Sequence, residues 1–172
     1  WLSIMLLIKT TQLPMQAVSK KTYNNGLVDL QLRDRSPVVL GMPNTLIIEP
    51  GAICSLECPF CPQSADTFEL NRELLKLSDF KKIIDYFEEF VDAVNLFNWG
   101  EPLLNPYLPE MIVYATETKI RTIVHSNLNF LNETLAEKLV RSGLSELVAS
   151  IDGASEESYQ AYRKRGSLKV AL

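Results

Sequence analysis

Three cysteines, one histidine and no excess of positive charge are the scarcities of this 172-residue sequence. Each excludes something. With 17 Lys and Arg against 21 Asp and Glu the formal net charge is -4, so a basic footprint for a phosphate backbone is missing and no nucleic-acid partner is expected. Long hydrophobic runs are missing too. The apolar stretch at residues 2–8 falls far below the roughly 20 residues that a membrane helix needs. It has no basic flank before it and no Ala-x-Ala-like site after it, which argues against a secretory signal. A cytoplasmic protein with no membrane partner is expected. The cysteines are odd in number and fall within eight residues, so a disulfide framework would leave one thiol over and close only a tiny loop. Clustered free thiols point to metal instead.

What is present is an ordinary globular composition, 47% hydrophobic and 22% charged, in a chain long enough for one domain with a real core. Runs rich in β-branched residues at 45–49, 93–99, 120–126 and 146–152 read as four strands. Helical patterns alternate with them. Phe80, Ile83, Ile84, Phe87 and Val91 form one helix face behind a Ser78 N-cap. Leu108, Met111, Ile112 and Ala115 form a second stripe, with Asn105 as cap and Pro106 at the first helical position. A third helix spans about 133–141 and stops at Gly143; a fourth runs from Glu156 to about Arg163 behind Ser155. The strand starts at 93, 120 and 146 are 27 and 26 residues apart, close to a compact βα repeat. Such alternation implies an α/β fold with a parallel sheet and helices outside it.

The interval before the second strand is longer, 48 residues, because the cysteine loop and the polar stretch 63–76 are inserted there. Loops at the carboxyl ends of parallel strands build active sites, so function is expected at that insertion. Residues 1–43 show no clear period and contain the turn signal Asn24-Asn25-Gly26, so they read as a lead-in of uncertain structure before a core at 44–172. Trp1 in place of an initiator methionine, and the opening of a helix at 167–172, read as a fold cut at both ends. Asn132-Glu133-Thr134 matches the glycosylation tripeptide, which carries no meaning in a cytoplasmic protein.

Cys54, Cys58 and Cys61 have the spacing C-x3-C-x2-C directly after the first strand. Offsets of 0, 4 and 7 would also suit one buried face of a helix. Pro59 and Pro62 argue against that, since each removes an amide donor and disfavours a helical residue before it. The segment is a loop able to wrap, and three thiolates can hold three irons of a cubane, leaving the fourth iron open to a small chelating molecule. Zinc held by the three cysteines and His125 is the rival ligation.

Here the sequence resembles the radical S-adenosylmethionine (SAM) superfamily, over about residues 45–172. The cysteine spacing, the aromatic Phe60 before the last cysteine, and the flanks Ile48-Glu49-Pro50-Gly51-Ala52-Ile53 and Pro59-Phe60-Cys61-Pro62 are similar to its SPASM branch, which modifies peptides and cofactors. Asn98-Trp99-Gly100-Glu101-Pro102 resembles the family's Gly-Gly-Glu-Pro motif with Trp99 at the first glycine; Ser126-Asn127-Leu128 resembles Thr-Asn-Gly; Ser150-Ile151-Asp152-Gly153 resembles the Ser-Ile-Asp-Gly run. The resemblance implies a partial (β/α)6 barrel, truncated here after about four βα units. It implies a [4Fe-4S] cluster on Cys54, Cys58 and Cys61, with Phe60, Gly100, Glu101, Asn127, Ser150, Asp152 and Arg163 around SAM. It also implies an external low-potential electron donor and a 5'-deoxyadenosyl radical that takes hydrogen from a substrate, a peptide or cofactor precursor in that branch. The alternatives at this point are a non-enzymatic iron-sulfur or zinc domain, and an inactive fragment of such an enzyme.

Overall fold

A computed structural model of the protein describes residues 18–64 and 72–172. The apolar run at 2–8 and the centre of the polar stretch 63–76 lie outside the described residues. The element order is α1 (Lys20–Arg33), β1 (Thr45–Ile47), α2 (Leu77–Phe87), β2 (Ala93–Asn95), a 3-10 turn (Pro102–Leu104), α3 (Leu108–Glu117), β3 (Arg121–Ser126), α4 (Glu133–Arg141), β4 (Glu146–Ala149), α5 (Glu156–Tyr162) and α6 (Leu168–Ala171). The four strands form one parallel sheet in the order β1-β2-β3-β4, as the βα spacing predicts. Among the described residues, no helix is long and apolar enough to cross a membrane.

The core lies between the sheet and the helices on one face. Burial along β3 has period two: Thr122, Val124 and Ser126 are buried, while Ile123 and His125 face the other side and are partly exposed. Helix α3 touches both α2 and α4 as well as β3, and its Leu108, Met111, Ile112 and Ala115 are wholly buried with Phe80 and Ile84 of α2 and with Val94, Leu96 and Val124 of the sheet. Each large apolar side chain so removed from water is worth about 1.5–3 kcal/mol. The opposite face of the sheet is left for the site.

Several elements differ from the sequence reading. The turn signal Asn24-Asn25-Gly26 lies inside α1. Asn24 is buried there, its amide donating to the Met42 carbonyl at 2.9 Å and its oxygen accepting from the Met42 amide at 2.8 Å, while Asn25 donates to Asp92 at 2.6 Å. Those bonds fasten α1 to the segments that lead into β1 and β2 and outweigh the poor helix propensity of Asn and Gly. Helix α2 begins at Leu77 with Lys76 as its N-cap residue, so Ser78 is not the cap, and Val91 joins the core from beyond the helix end. Helix α3 begins at Leu108, with Pro109 rather than Pro106 in its first turn. Asn105 is a buried tie: it donates to the carbonyls of Pro50 at 2.7 Å and Leu75 at 3.0 Å and accepts from Tyr107 at 2.9 Å. The strands β1, β2 and β4 end two to four residues earlier than the apolar runs, because the chain turns off to form the site.

Candidate active site at the carboxyl ends of the strands

Residues 54–64 form no regular helix, in keeping with the two prolines; successive turns close through Cys61 N–H to the Cys58 carbonyl and Ser64 N–H to the Cys61 carbonyl, both at 3.0 Å. The last turn of α5 and the residues after it strap this loop down. Glu57 N–H donates to the Lys164 carbonyl at 3.0 Å, Arg165 pairs with the Glu57 carboxylate at 2.5 Å, and Arg163 donates to Cys58 Sγ at 3.8 Å. Arg165 adopts a left-handed backbone at φ 68° to make this turn. The sequence reading missed Glu57, Lys164 and Arg165, because a strap between segments over a hundred residues apart leaves no local signal.

The three thiols line one cavity of about 260 Å³ together with Phe97, Trp99, Gly100, Glu101, His125, Asn127, Ser150 and Arg163. Cys54 Sγ accepts from the Leu56 amide at 3.4 Å and from Asn127 Nδ2 at 3.7 Å, and Cys61 reaches the Trp99 carbonyl at 3.7 Å. Burial pushes the Cys54 thiol up, and the charges of Glu101, Cys58 and Cys61 push it further, against the Leu56 amide. Burial also raises Cys58, although the Arg163 guanidinium opposes it. Both shifts disfavour the thiolate, so a bound cation is what would hold these sulfurs ionised. Among the described residues no three His, Cys, Asp or Glu side chains converge on a point that a single ion could occupy. Three cysteine sulfurs bordering one cavity are the donor set that an iron-sulfur cluster would take. His125 lines the same cavity, its ring stacked on Phe97 with centroids 3.8 Å apart and planes at 19°.

Gly100 matters through its backbone. A Cβ there would stand 1.8 Å from the Gly51 carbonyl oxygen and 3.0 Å from that of Ile53, so the turn after β2 lies directly on the entry to the cysteine loop. Glu101 N–H donates to Ile53 at 2.7 Å, and the Glu49 carboxylate accepts from Trp99 and Gly100 N–H at 2.8 and 2.7 Å. Trp99 has no positive φ, so glycine is not required at its position. Glu49 was absent from the expected set, and only the pairing of two turns reveals it. The Glu101 side chain is 3% exposed and faces away from open solvent, accepting from Ser126 Oγ at 2.7 Å, Asn127 N–H at 2.9 Å and Leu103 N–H at 3.1 Å. Burial pushes its carboxyl up despite those donors. Glu101 thus locks the end of β3 and with it the Asn127 amide that meets Cys54. Leu128, standing where the resembling motif has glycine, takes the left-handed conformation at φ 61°, at a cost of about 1–2 kcal/mol.

Two expected residues sit at the rim. Phe60 is 87% exposed and stacks on Tyr162 with centroids 6.4 Å apart. Asp152 is engaged by Arg163 Nε at 2.5 Å, so it meets the cavity through that guanidinium. Gly153 beside it lets α5 approach, since a Cβ there would lie 2.3 Å from the Tyr159 nitrogen. The structure brings the other expected residues together: Cys54, Cys58, Cys61, Gly100, Glu101, Asn127, Ser150 and Arg163 all border the cavity.

A sequence profile described as the Radical SAM superfamily matches residues 48–172. The chain belongs to that superfamily. Radical SAM enzymes use a [4Fe-4S] cluster and SAM, and the chain's relatives are enzymes. It is 33% identical over 119 residues to an Fe-coproporphyrin III synthase of Methanosarcina barkeri, which covers 69% of this chain and 30% of that protein. A PqqA peptide cyclase of Granulibacter bethesdensis is 28% identical over 116 residues, covering 67% of this chain and 31% of the relative. The chain therefore spans about a third of the length of these curated relatives. Among solved structures, Streptococcus suis SuiB bound to its precursor peptide SuiA matches with a TM-score of 0.60 at 19% identity, over 96% of this chain and 38% of that one, which shows the shared fold.

Proposed function

We propose that this radical SAM chain holds a [4Fe-4S] cluster on Cys54, Cys58 and Cys61 and binds SAM in the cavity they border, to abstract hydrogen from an organic substrate of the peptide or cofactor-precursor class. The observation that carries the reading is the shared cavity, in which three cysteine thiols, with no fourth cysteine in this sequence, face the ends of β2, β3 and β4. When bound, the cluster supplies one electron that cleaves SAM to methionine and a 5'-deoxyadenosyl radical. The chain's own residues do the placing. Gly100 and Glu49 fix the turn after β2, Glu101 holds Asn127 against Cys54, and Ser150 offers a hydroxyl on the β4 side. Phe60 and Tyr162 give an aromatic surface at the rim suited to an adenine ring. The substrate class follows the two relatives and the SuiB complex, and an external low-potential donor provides the electron.

The test is anaerobic reconstitution with iron and sulfide, followed by electron paramagnetic resonance of the reduced protein. A cubane signal that changes on adding SAM, with 5'-deoxyadenosine released under dithionite, is the expected result. Stoichiometric zinc without iron, or a cubane signal indifferent to SAM, overturns the reading.

A further inference from the structure

We infer that Arg163, locked in place by Asp152, is a positioning residue that sets the reduction potential of the cluster through Cys58, separately from any contact it makes with SAM; the inference rests on the cluster assignment above. The guanidinium sits at the C-terminus of α5, its own amide bonded to the Tyr159 carbonyl at 2.7 Å, so its root is fixed by the helix end. Its head is fixed twice more. Nε donates to Asp152 at 2.5 Å and Nη1 donates to Cys58 Sγ at 3.8 Å, with the carbon of the group 5.5 Å from the Tyr162 ring centre. The fork geometry of arginine serves the two acceptors from two different nitrogens, whereas lysine would have to serve both from one. Arg163's side chain is only 19% exposed, whereas Asp152's is 44% exposed, so solvent screens the carboxylate more than the guanidinium that faces the sulfur.

The three sulfurs are not equivalent. Cys58 receives a charged donor, Cys54 receives the neutral donors Leu56 and Asn127, and Cys61 meets a carbonyl acceptor. A cationic donor on a ligating thiolate favours the reduced cluster, which carries one more negative charge, and so makes the potential less negative. Arg163 also belongs to the turn that straps the loop through Lys164 and Arg165, which couples the closure of that turn to the charge presented to Cys58.

The measurement is a redox titration of the reconstituted protein, followed by paramagnetic resonance, without SAM and then with it, for the unmodified chain, R163Q and R163K. Without SAM, and at unchanged iron and sulfide content, R163Q is expected to lower the reduced-to-oxidised ratio at fixed potential about tenfold, a midpoint about 59 mV more negative for a one-electron couple. R163K, which keeps the charge but loses the fork, shifts the same way by less. An unchanged midpoint in R163Q without SAM, with only weaker SAM binding, overturns the inference and leaves Arg163 a cosubstrate residue. Should R163Q fail to load iron, R163K decides: a wild-type midpoint there overturns it and a negative shift supports it. A protein that assembles no cluster at all fails the earlier reading; one that assembles it and keeps its midpoint in both variants fails this inference alone.

Discussion

Replacing Gly100 by alanine tests the packing on which the site depends. The added Cβ would lie 1.8 Å from the Gly51 carbonyl oxygen, 2.9 Å from the Gly51 carbonyl carbon and 3.0 Å from the Ile53 oxygen. All three are backbone atoms, so no side-chain rotation relieves the overlap. Either the turn after β2 or the entry to the cysteine loop must move. Overpacking of a close-packed interior costs about 1–3 kcal/mol. Movement of the turn also strains the bond from Glu101 N–H to Ile53 and those from Trp99 and Gly100 N–H to Glu49, each worth about 0.5–1.5 kcal/mol. With one or two of them lost, the total comes to about 1.5–6 kcal/mol. Urea unfolding should show the loss as a lower midpoint at unchanged slope, and a thermal melt as a drop of about 2–4 °C per kcal/mol in a chain of this size. The control is G26A. Gly26 lies inside α1 with nothing within 4 Å of its added Cβ, so alanine there should stabilise by about 0.5–1 kcal/mol. A G100A protein within about 0.5 kcal/mol of the unmodified chain, the range of ordinary surface changes, refutes the close approach.

Two further substitutions probe the ties around the site. E101Q puts an amide donor opposite the N–H of Asn127 or of Leu103, leaving a buried donor unpaired at a cost of about 1–3 kcal/mol by urea unfolding. Because burial raises the Glu101 carboxyl, the folded chain keeps that proton where the unfolded chain releases it. Its stabilising share is therefore full below the ordinary Glu range and fades as pH rises through the raised value, so the unmodified-minus-E101Q difference should be larger in acid than at neutral pH. N24A removes both bonds to Met42 and should cost about 1–3 kcal/mol, read most directly as faster hydrogen exchange in α1 than in α3.

The order of strands and helices was legible because each is announced by a period of apolar residues that local chemistry enforces. Helix α4 begins and ends where its pattern does, capped by Asn132, whose side chain accepts from Leu135 N–H at 2.9 Å, and α5 carries the Ser155 cap that its sequence advertises. The cysteine loop was legible through Pro59 and Pro62. What escaped was every choice settled by a distant partner. Asn105 looks like a helix cap and is instead a tie to Pro50 and Leu75; Glu49 looks like the last residue of a strand and instead turns to hold Trp99 and Gly100. Asn24 and Asn25 look like a turn because their own propensities are all that a short window contains.

The departures from the resembling motifs sort by the same logic. Trp99 replaces a glycine without strain, since its φ stays negative and the close approach falls one residue later, at Gly100. Leu128 also stands in place of a glycine, and it adopts a left-handed backbone, which glycine would adopt freely. That strain is held by the Leu128 N–H bond to Ser126 Oγ at 2.9 Å, whose hydroxyl in turn donates to Glu101. One buried carboxylate therefore sustains an unfavourable backbone turn and also holds the backbone N–H of Asn127, whose side-chain amide meets Cys54. L128G is the consequence that follows: glycine relieves the left-handed strain but loses chain stiffness, so stability should change by no more than about 1 kcal/mol by urea unfolding. A loss well beyond that would mean the Leu128 side chain, and not the bend it tolerates, is what holds the end of β3.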